Sequence, residues 1–121
     1  MKTKFDFKKI FYSVIIVLMI ILVFTIIDYA VHSFSEEYAV PSYYFRNKII
    51  FGTLIGLVAY FFVRKMKLIP KSLIFSGVVS FLLQIRYFYE GYALKFVLEF
   101  LALHFIMLLI ASWIVFRFFE R

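Results

Sequence analysis

Two histidines stand at positions where this sequence could perform acid–base chemistry. His32 follows Asp28 by four residues, so on a helix the carboxylate can hold the imidazole in a single tautomer. The same spacing is typical of a pair that caps a helix. His104 lies alone in a long apolar stretch, where a histidine bonded to a serine or a backbone carbonyl is the structural alternative. His32 and His104 are therefore the candidate bases, and each also has a structural interpretation.

Further polar side chains lie inside the apolar stretches or at their edges. Arg86 with Glu90, and Lys95 with Glu99, are spaced four apart and could simply neutralise each other. Lys48 could extend its amine to the surface. Ionisable groups among apolar residues are costly, and they are functional candidates for that reason. The candidate ligand-binding residues are Asp28, His32, Lys48, Gln84, Arg86, Glu99 and His104.

The residue types and spacings exclude several kinds of site. The chain has no cysteine, so disulfides, thiolate nucleophiles and thiolate metal ligands are absent. The histidines share no metal-binding spacing, and Glu99 and His104 are five residues apart, which turns them to different sides of a helix. No serine has the context of a catalytic nucleophile. We therefore expect neither a metal nor a cofactor, and the sequence favours a protein without enzymatic activity.

Four apolar runs must position these side chains, at residues 10–27, 49–63, 73–83 and 96–116. Hydrophobic residues make up 65% of the 121-residue chain, more than a water-soluble fold of this size can bury. Crossing a hydrocarbon core takes about 20 helical residues, so the two middle runs must extend into the polar residues beside them. We predict an all-α fold. It is one transmembrane domain covering residues 1–121, a polytopic four-helix bundle with helices at 8–31, 42–64, 71–90 and 94–118.

Positive charge predicts the orientation of the bundle. The chain has 14 Lys and Arg residues and a formal net charge of +7. With the N-terminus inside, the inner side carries Lys2, Lys4, Lys8, Lys9, Arg64, Lys65, Lys67, Lys71, Arg117 and Arg121. The outer side carries only Arg46, Lys48, Arg86 and Lys95. We expect an integral protein of the cell membrane with both termini cytoplasmic, and this placement argues against a nucleic-acid partner.

Small residues at helical spacing predict close helix packing. Gly52 and Gly56 are four apart, as are Ser76 and Ser80, and such pairs let neighbouring helices approach. Most candidate ligand-binding residues fall near the outer ends of the helices, whereas the inner half offers mainly hydroxyls and glycines. We therefore expect a polar pocket that opens to the outside, with contacts between its side chains across different helices. The tyrosines predicted to form an aromatic belt beside it are Tyr29, Tyr38, Tyr43, Tyr44, Tyr87, Tyr89 and Tyr92.

These observations favour one functional hypothesis and leave two alternatives. The leading hypothesis is a small non-enzymatic membrane protein, either an accessory or assembly subunit or a binder of a lipid headgroup or small anion in the outer pocket. The first alternative is a membrane-embedded enzyme that acts on lipid with a histidine base. The second is a small homo-oligomeric transporter or channel. Expected partners are membrane lipid and either a protein partner or further copies of the chain.

Overall fold

The computed structural model describes residues 7–120, and this part of the chain is helical with short connections. The long helices are α1 (Phe7–His32), α2 (Tyr43–Val63), α3 (Leu68–Tyr89) and α4 (Leu94–Phe119), with a short 3-10 turn, Glu36–Tyr38, after α1. Each long helix has the length and apolar composition needed to span a membrane. The predicted all-α fold with four such helices is confirmed. Lys2, Lys4 and Arg121, which were counted for orientation, lie outside the described residues.

The third helix starts earlier than its sequence predicts. It begins at Leu68 rather than at residue 71, so Pro70 lies in its first turn. Proline is tolerated there because the first N–H groups of a helix have no partner within it. Lys71, the first residue of the predicted helix, follows Pro70 directly, and its side chain is buried.

A glycine follows the last turn of the same helix. Gly91 has a φ of +100°, a left-handed conformation that glycine adopts without steric cost. The Gly91 N–H donates to the Phe88 carbonyl and the Tyr92 N–H donates to the Tyr87 carbonyl, each over 3.2 Å. These two bonds cap the last carbonyls of α3 and reverse the chain towards α4.

The helices form a closed bundle in chain order. Each packs against the next one along the chain, and α4 packs back against α1. The core between them is apolar, and its most deeply buried side chains include Ile16, Val17, Ile20, Phe24, Phe75, Leu83 and Leu108. This order brings α1, α2 and α4 close enough to share one polar site.

The predicted packing residues lie between helices. A Cβ at Gly56 would stand 2.7 Å from Val17 Cγ1 of α1, whereas at Gly52 the nearest atoms, those of Ile21, would stand 3.4 Å away. Of these two glycines, Gly56 therefore has the less room for a side chain between α2 and α1. The Ser76 hydroxyl of α3 lies 3.2 Å from the Ser112 hydroxyl of α4, and this contact links the two helices. The fourth predicted packing residue, Ser80, is also buried, but its hydroxyl donates to the Gly77 carbonyl of its own helix over 3.2 Å.

Candidate functional site

An ion pair buried between α1 and α2 forms the centre of the candidate site. The Lys48 ammonium donates a hydrogen bond to Asp28 Oδ2, and both side chains are 0% exposed. A charge taken out of water without a partner costs several kcal/mol, so each of these residues depends on the other. The pair also fixes how α1 and α2 are rotated against each other.

His104 joins α4 to this ion pair. Its Nε2 lies 3.1 Å from Asp28 Oδ1 and 3.0 Å from Lys48 Nζ, and the residue is fully buried. The expectation that candidate polar side chains contact each other across different helices is confirmed. One polar network therefore links three of the four helices.

His32 lies one helical turn from Asp28 on the same face of α1. Its Nε2 is 3.3 Å from Asp28 Oδ2, and its Nδ1 is 2.6 Å from the Tyr38 carbonyl oxygen. A carbonyl only accepts hydrogen bonds, so Nδ1 carries the proton and donates it. In the neutral ring the Nε2 lone pair is then directed towards the carboxylate.

Aromatic side chains enclose these polar groups. Lys48 Nζ lies 4.9 Å from the ring centroid of Phe24 and 4.4 Å from that of Tyr44, whose hydroxyl is 3.2 Å from the same nitrogen. The Phe100 ring stacks on His32 at 4.4 Å with planes 2° apart. Such contacts stabilise a buried cation and exclude water. We call Asp28, His32, Tyr44, Lys48 and His104 the Asp28 cluster.

The Asp28 cluster is closed, whereas the sequence predicted a pocket open at the end of the bundle. Asp28, Lys48 and His104 are each 0% exposed and His32 is 5% exposed. The predicted aromatic belt is divided for the same reason. Tyr44 and Tyr87 are each 1% exposed and turn inwards to cover the cluster, whereas Tyr29, Tyr43 and Tyr89 are exposed.

Three of the seven candidate ligand-binding residues lie outside the cluster. Gln84 is buried, and its Nε2 donates to the Val97 carbonyl of α4 over 2.7 Å. Arg86 Nε lies 3.0 Å from Glu90 Oε1, and Lys95 Nζ lies 3.9 Å from Glu99 Oε1. Gln84 thus ties α3 to α4, and the two pairs neutralise themselves along their own helices, as the alternative interpretation of their spacing proposed.

A second polar group, which the sequence analysis missed, lies at the opposite end of the bundle. The Glu120 carboxylate accepts hydrogen bonds from the Lys71 ammonium and the Tyr60 hydroxyl. Lys71 Nζ also donates to the Arg64 carbonyl over 3.1 Å. The sequence signal is weak, because Lys71 and Glu120 are 49 residues apart and no local spacing brings them together.

Beside that group is a cleft lined by basic side chains. Its volume is about 450 Å³, and it lies between the start of α1 and the end of α2. Its lining includes Lys8, Lys9, Tyr12, Arg64 and Lys65. We call these five residues the basic cleft. Tyr12 closes one side of it, since its hydroxyl donates to the Phe119 carbonyl over 3.3 Å.

Comparisons with protein-family models, with curated proteins and with solved structures found no match to this chain. The features of the molecule that bear on function are the Asp28 cluster, the basic cleft and the surface of the bundle.

Proposed function

We propose that this chain is an integral membrane protein whose four helices cross the bilayer, with both termini cytoplasmic. The outward faces of the helices support insertion. Ile26, Phe62 and Leu98 are each more than half exposed, and many other large apolar side chains accompany them. A water-soluble surface seldom carries so much exposed apolar area, whereas lipid tails would cover it.

The distribution of charge supports the proposed orientation. Contacts of Tyr12 with Phe119 and of Lys71 with Glu120 bring the two described chain ends and the α2–α3 turn to the same end of the bundle. The described cations at this end are Lys8, Lys9, Arg64, Lys65, Lys67, Lys71 and Arg117. Lys and Arg accumulate in cytoplasmic loops, so this end faces the cytoplasm.

Cysteine labelling tests the orientation. The chain has no native cysteine, so Ser35→Cys and Met66→Cys each introduce one thiol, both at exposed positions. A membrane-impermeant maleimide should label Ser35→Cys in intact cells, because the α1–α2 connection lies outside. It should label Met66→Cys only after the membrane is opened. The reverse pattern in intact cells would invert the orientation.

The proposed function of the protein is to bind the anionic headgroup of a membrane lipid without catalysing a reaction. The basic cleft is the observation that carries this proposal, since four cations line one opening at the end of the bundle that we propose faces the cytoplasm. Arg binds phosphate oxygens in pairs and Lys adds point charge. Basic pockets between transmembrane helices on the cytoplasmic side suit such headgroups. The headgroup site is therefore proposed at the inner end, and not in the outer pocket that the sequence predicted.

The burial of both histidines supports a non-enzymatic function over the lipid-directed enzyme. A lipid substrate would reach His104 Nε2 only by displacing Lys48 and the aromatic rings around it. The accessory-subunit and transporter hypotheses stay predictions.

Binding of defined lipids tests the headgroup proposal. In native mass spectrometry, phosphatidylglycerol should remain bound to the protein at least about tenfold more than phosphatidylcholine, because only the first carries net charge. The double variant Arg64→Gln, Lys65→Gln should lose most of this preference. Arg46→Gln, Lys95→Gln removes the same charge from exposed residues at the other end and should retain it.

Inorganic phosphate, added as a competitor, separates a site for phosphate itself from a site that also needs the lipid. Displacement of phosphatidylglycerol by millimolar phosphate would indicate a small-anion site. Equal loss of lipid in the two double variants would contradict the basic cleft as the binding site.

A further inference from the structure

The Asp28 cluster gathers metal-ligand atoms that the sequence keeps far apart. A carboxylate oxygen of Asp28 and ring nitrogens of His32 and His104 lie within 4.8 Å of one another, and all three residues are buried. Asp28 and His32 share one face of α1, and His104 reaches them from α4, 76 residues beyond Asp28. Linear spacing could not reveal this set, which is why the sequence favoured no metal.

Hydrogen bonding leaves one ligand of this set without a donor. The N–H at His32 Nδ1 donates a hydrogen bond to the Tyr38 carbonyl, so the neutral ring has an unprotonated Nε2 with a free lone pair. That nitrogen is buried and has no hydrogen-bond partner within residues 7–120. It faces Asp28 Oδ2 at 3.3 Å, which brings two acceptors together. Two acceptors repel each other unless a positive centre binds both.

The Lys48 ammonium supplies only part of the positive charge that these acceptors require. Its three hydrogens are directed to Asp28 Oδ2, His104 Nε2 and the Tyr44 hydroxyl, which leaves none for His32. A cation therefore already occupies part of this ligand set. A doubly charged ion placed between the two histidines and Asp28 would satisfy all three ligands at once.

We propose that Asp28, His32 and His104 form a binding site for a divalent transition-metal ion of the zinc class. Two imidazoles and one carboxylate are a common ligand set for Zn²⁺. Zinc bonds of about 2.1 Å in a tetrahedron separate the ligand atoms by about 3.4 Å. The His104 and His32 nitrogens lie 3.1 and 3.3 Å from different oxygens of Asp28, and one ligand atom from each of the three residues lies within 4.8 Å of the others, so small side-chain shifts bring all three to one ion. The bond from His32 Nδ1 to a carbonyl is the second contact that orients a metal-binding histidine.

Lys48 makes metal binding an exchange reaction. The ion takes the place of the ammonium beside Asp28, so the Lys48 side chain must move away from the carboxylate when the ion binds. In the metal-free protein Lys48 keeps Asp28 neutralised, so the bundle stays folded without the ion.

The test uses the full chain without a histidine tag, purified in detergent, with Zn²⁺ as the probe and Mg²⁺ as the hard-cation control. Calorimetry should detect one Zn²⁺ bound per chain. Zn²⁺, unlike Mg²⁺, should also raise the melting temperature. His32→Gln and His104→Gln should each weaken Zn²⁺ binding about tenfold or more. Glu99→Gln, which removes a carboxylate outside the cluster, should leave it unchanged.

Lys48→Met removes the competing ammonium and should bind Zn²⁺ more tightly than the wild type. If this variant does not fold, Zn²⁺ binding to the wild type and to the histidine variants still tests the proposed site. Zinc binding that is equal in the histidine variants and the wild type would reveal surface sites and overturn the proposal. A melting temperature that Zn²⁺ does not raise would also overturn it.

Discussion

Replacing Lys48 by methionine is expected to destabilise the metal-free bundle by about 3–5 kcal/mol, the largest effect of any single substitution considered for this protein. Methionine matches the shape of the lysine stem but leaves the Asp28 carboxylate buried without its ammonium partner. His104 loses a donor in the same step, since Lys48 Nζ lies 3.0 Å from its Nε2. Unfolding in detergent, followed by helical circular dichroism, measures the loss.

A second substitution separates the charge from the packing. Asp28→Asn, combined with Lys48→Met, removes both charges and keeps an amide that can donate to a histidine Nε2, so it should recover more than half of the lost stability. Lys95→Met is the matched control, because its side chain is 79% exposed and its loss should cost less than about 1 kcal/mol. A double variant no more stable than Lys48→Met would disprove the ion-pair explanation.

The double variant also bears on why the ion pair is present. A buried ion pair is often replaceable by neutral side chains without loss of stability. If Asp28→Asn, Lys48→Met is as stable as the wild type, the two charges are not needed to hold the bundle together. Their presence would then be explained by binding, and zinc affinity should fall in this variant because a carboxylate ligand is lost.

Gly56→Ala is expected to destabilise the bundle by about 1–3 kcal/mol through overpacking. The added Cβ would lie 2.7 Å from Val17 Cγ1, and a valine in a helix has one strongly preferred rotamer and cannot turn aside. The gain of about 0.5–1 kcal/mol from replacing a helical glycine offsets only part of this cost. Thermal unfolding in detergent gives the comparison.

Two further variants make this prediction specific. Gly77→Ala is the matched control, since among the described residues the nearest atom to its Cβ would be Phe105 Cε1 at 3.8 Å, and it should be neutral or stabilising. Val17→Ala clears the space beside Gly56, so combining it with Gly56→Ala should cost less than the sum of the two single changes. If the stability costs of the two single changes simply add in the double variant, the strain does not arise at the contact between Gly56 and Val17.

The positions of the four helices and the ion pairs within a helix were predictable from the sequence, because both depend on residues that are close together in the chain. Apolar runs separated by charged turns predict helices, and the bounds of α1, α2 and α4 differ from the prediction by a single residue at most. Gly91 marked the end of α3 because only glycine adopts its φ without cost. Arg86 with Glu90 was predictable in the same way, since partners four residues apart need no tertiary structure to meet.

The contacts between helices were decided only by the tertiary structure. Each residue turns a helical face by about 100°, so a sequence defines which side chains share a face but not which face of another helix they meet. The meeting of Asp28 with Lys48 and His104 depends on how three helices are rotated and shifted against one another. The same rotation turned Tyr44 inwards, where its hydroxyl and its ring face both stabilise the buried Lys48 ammonium.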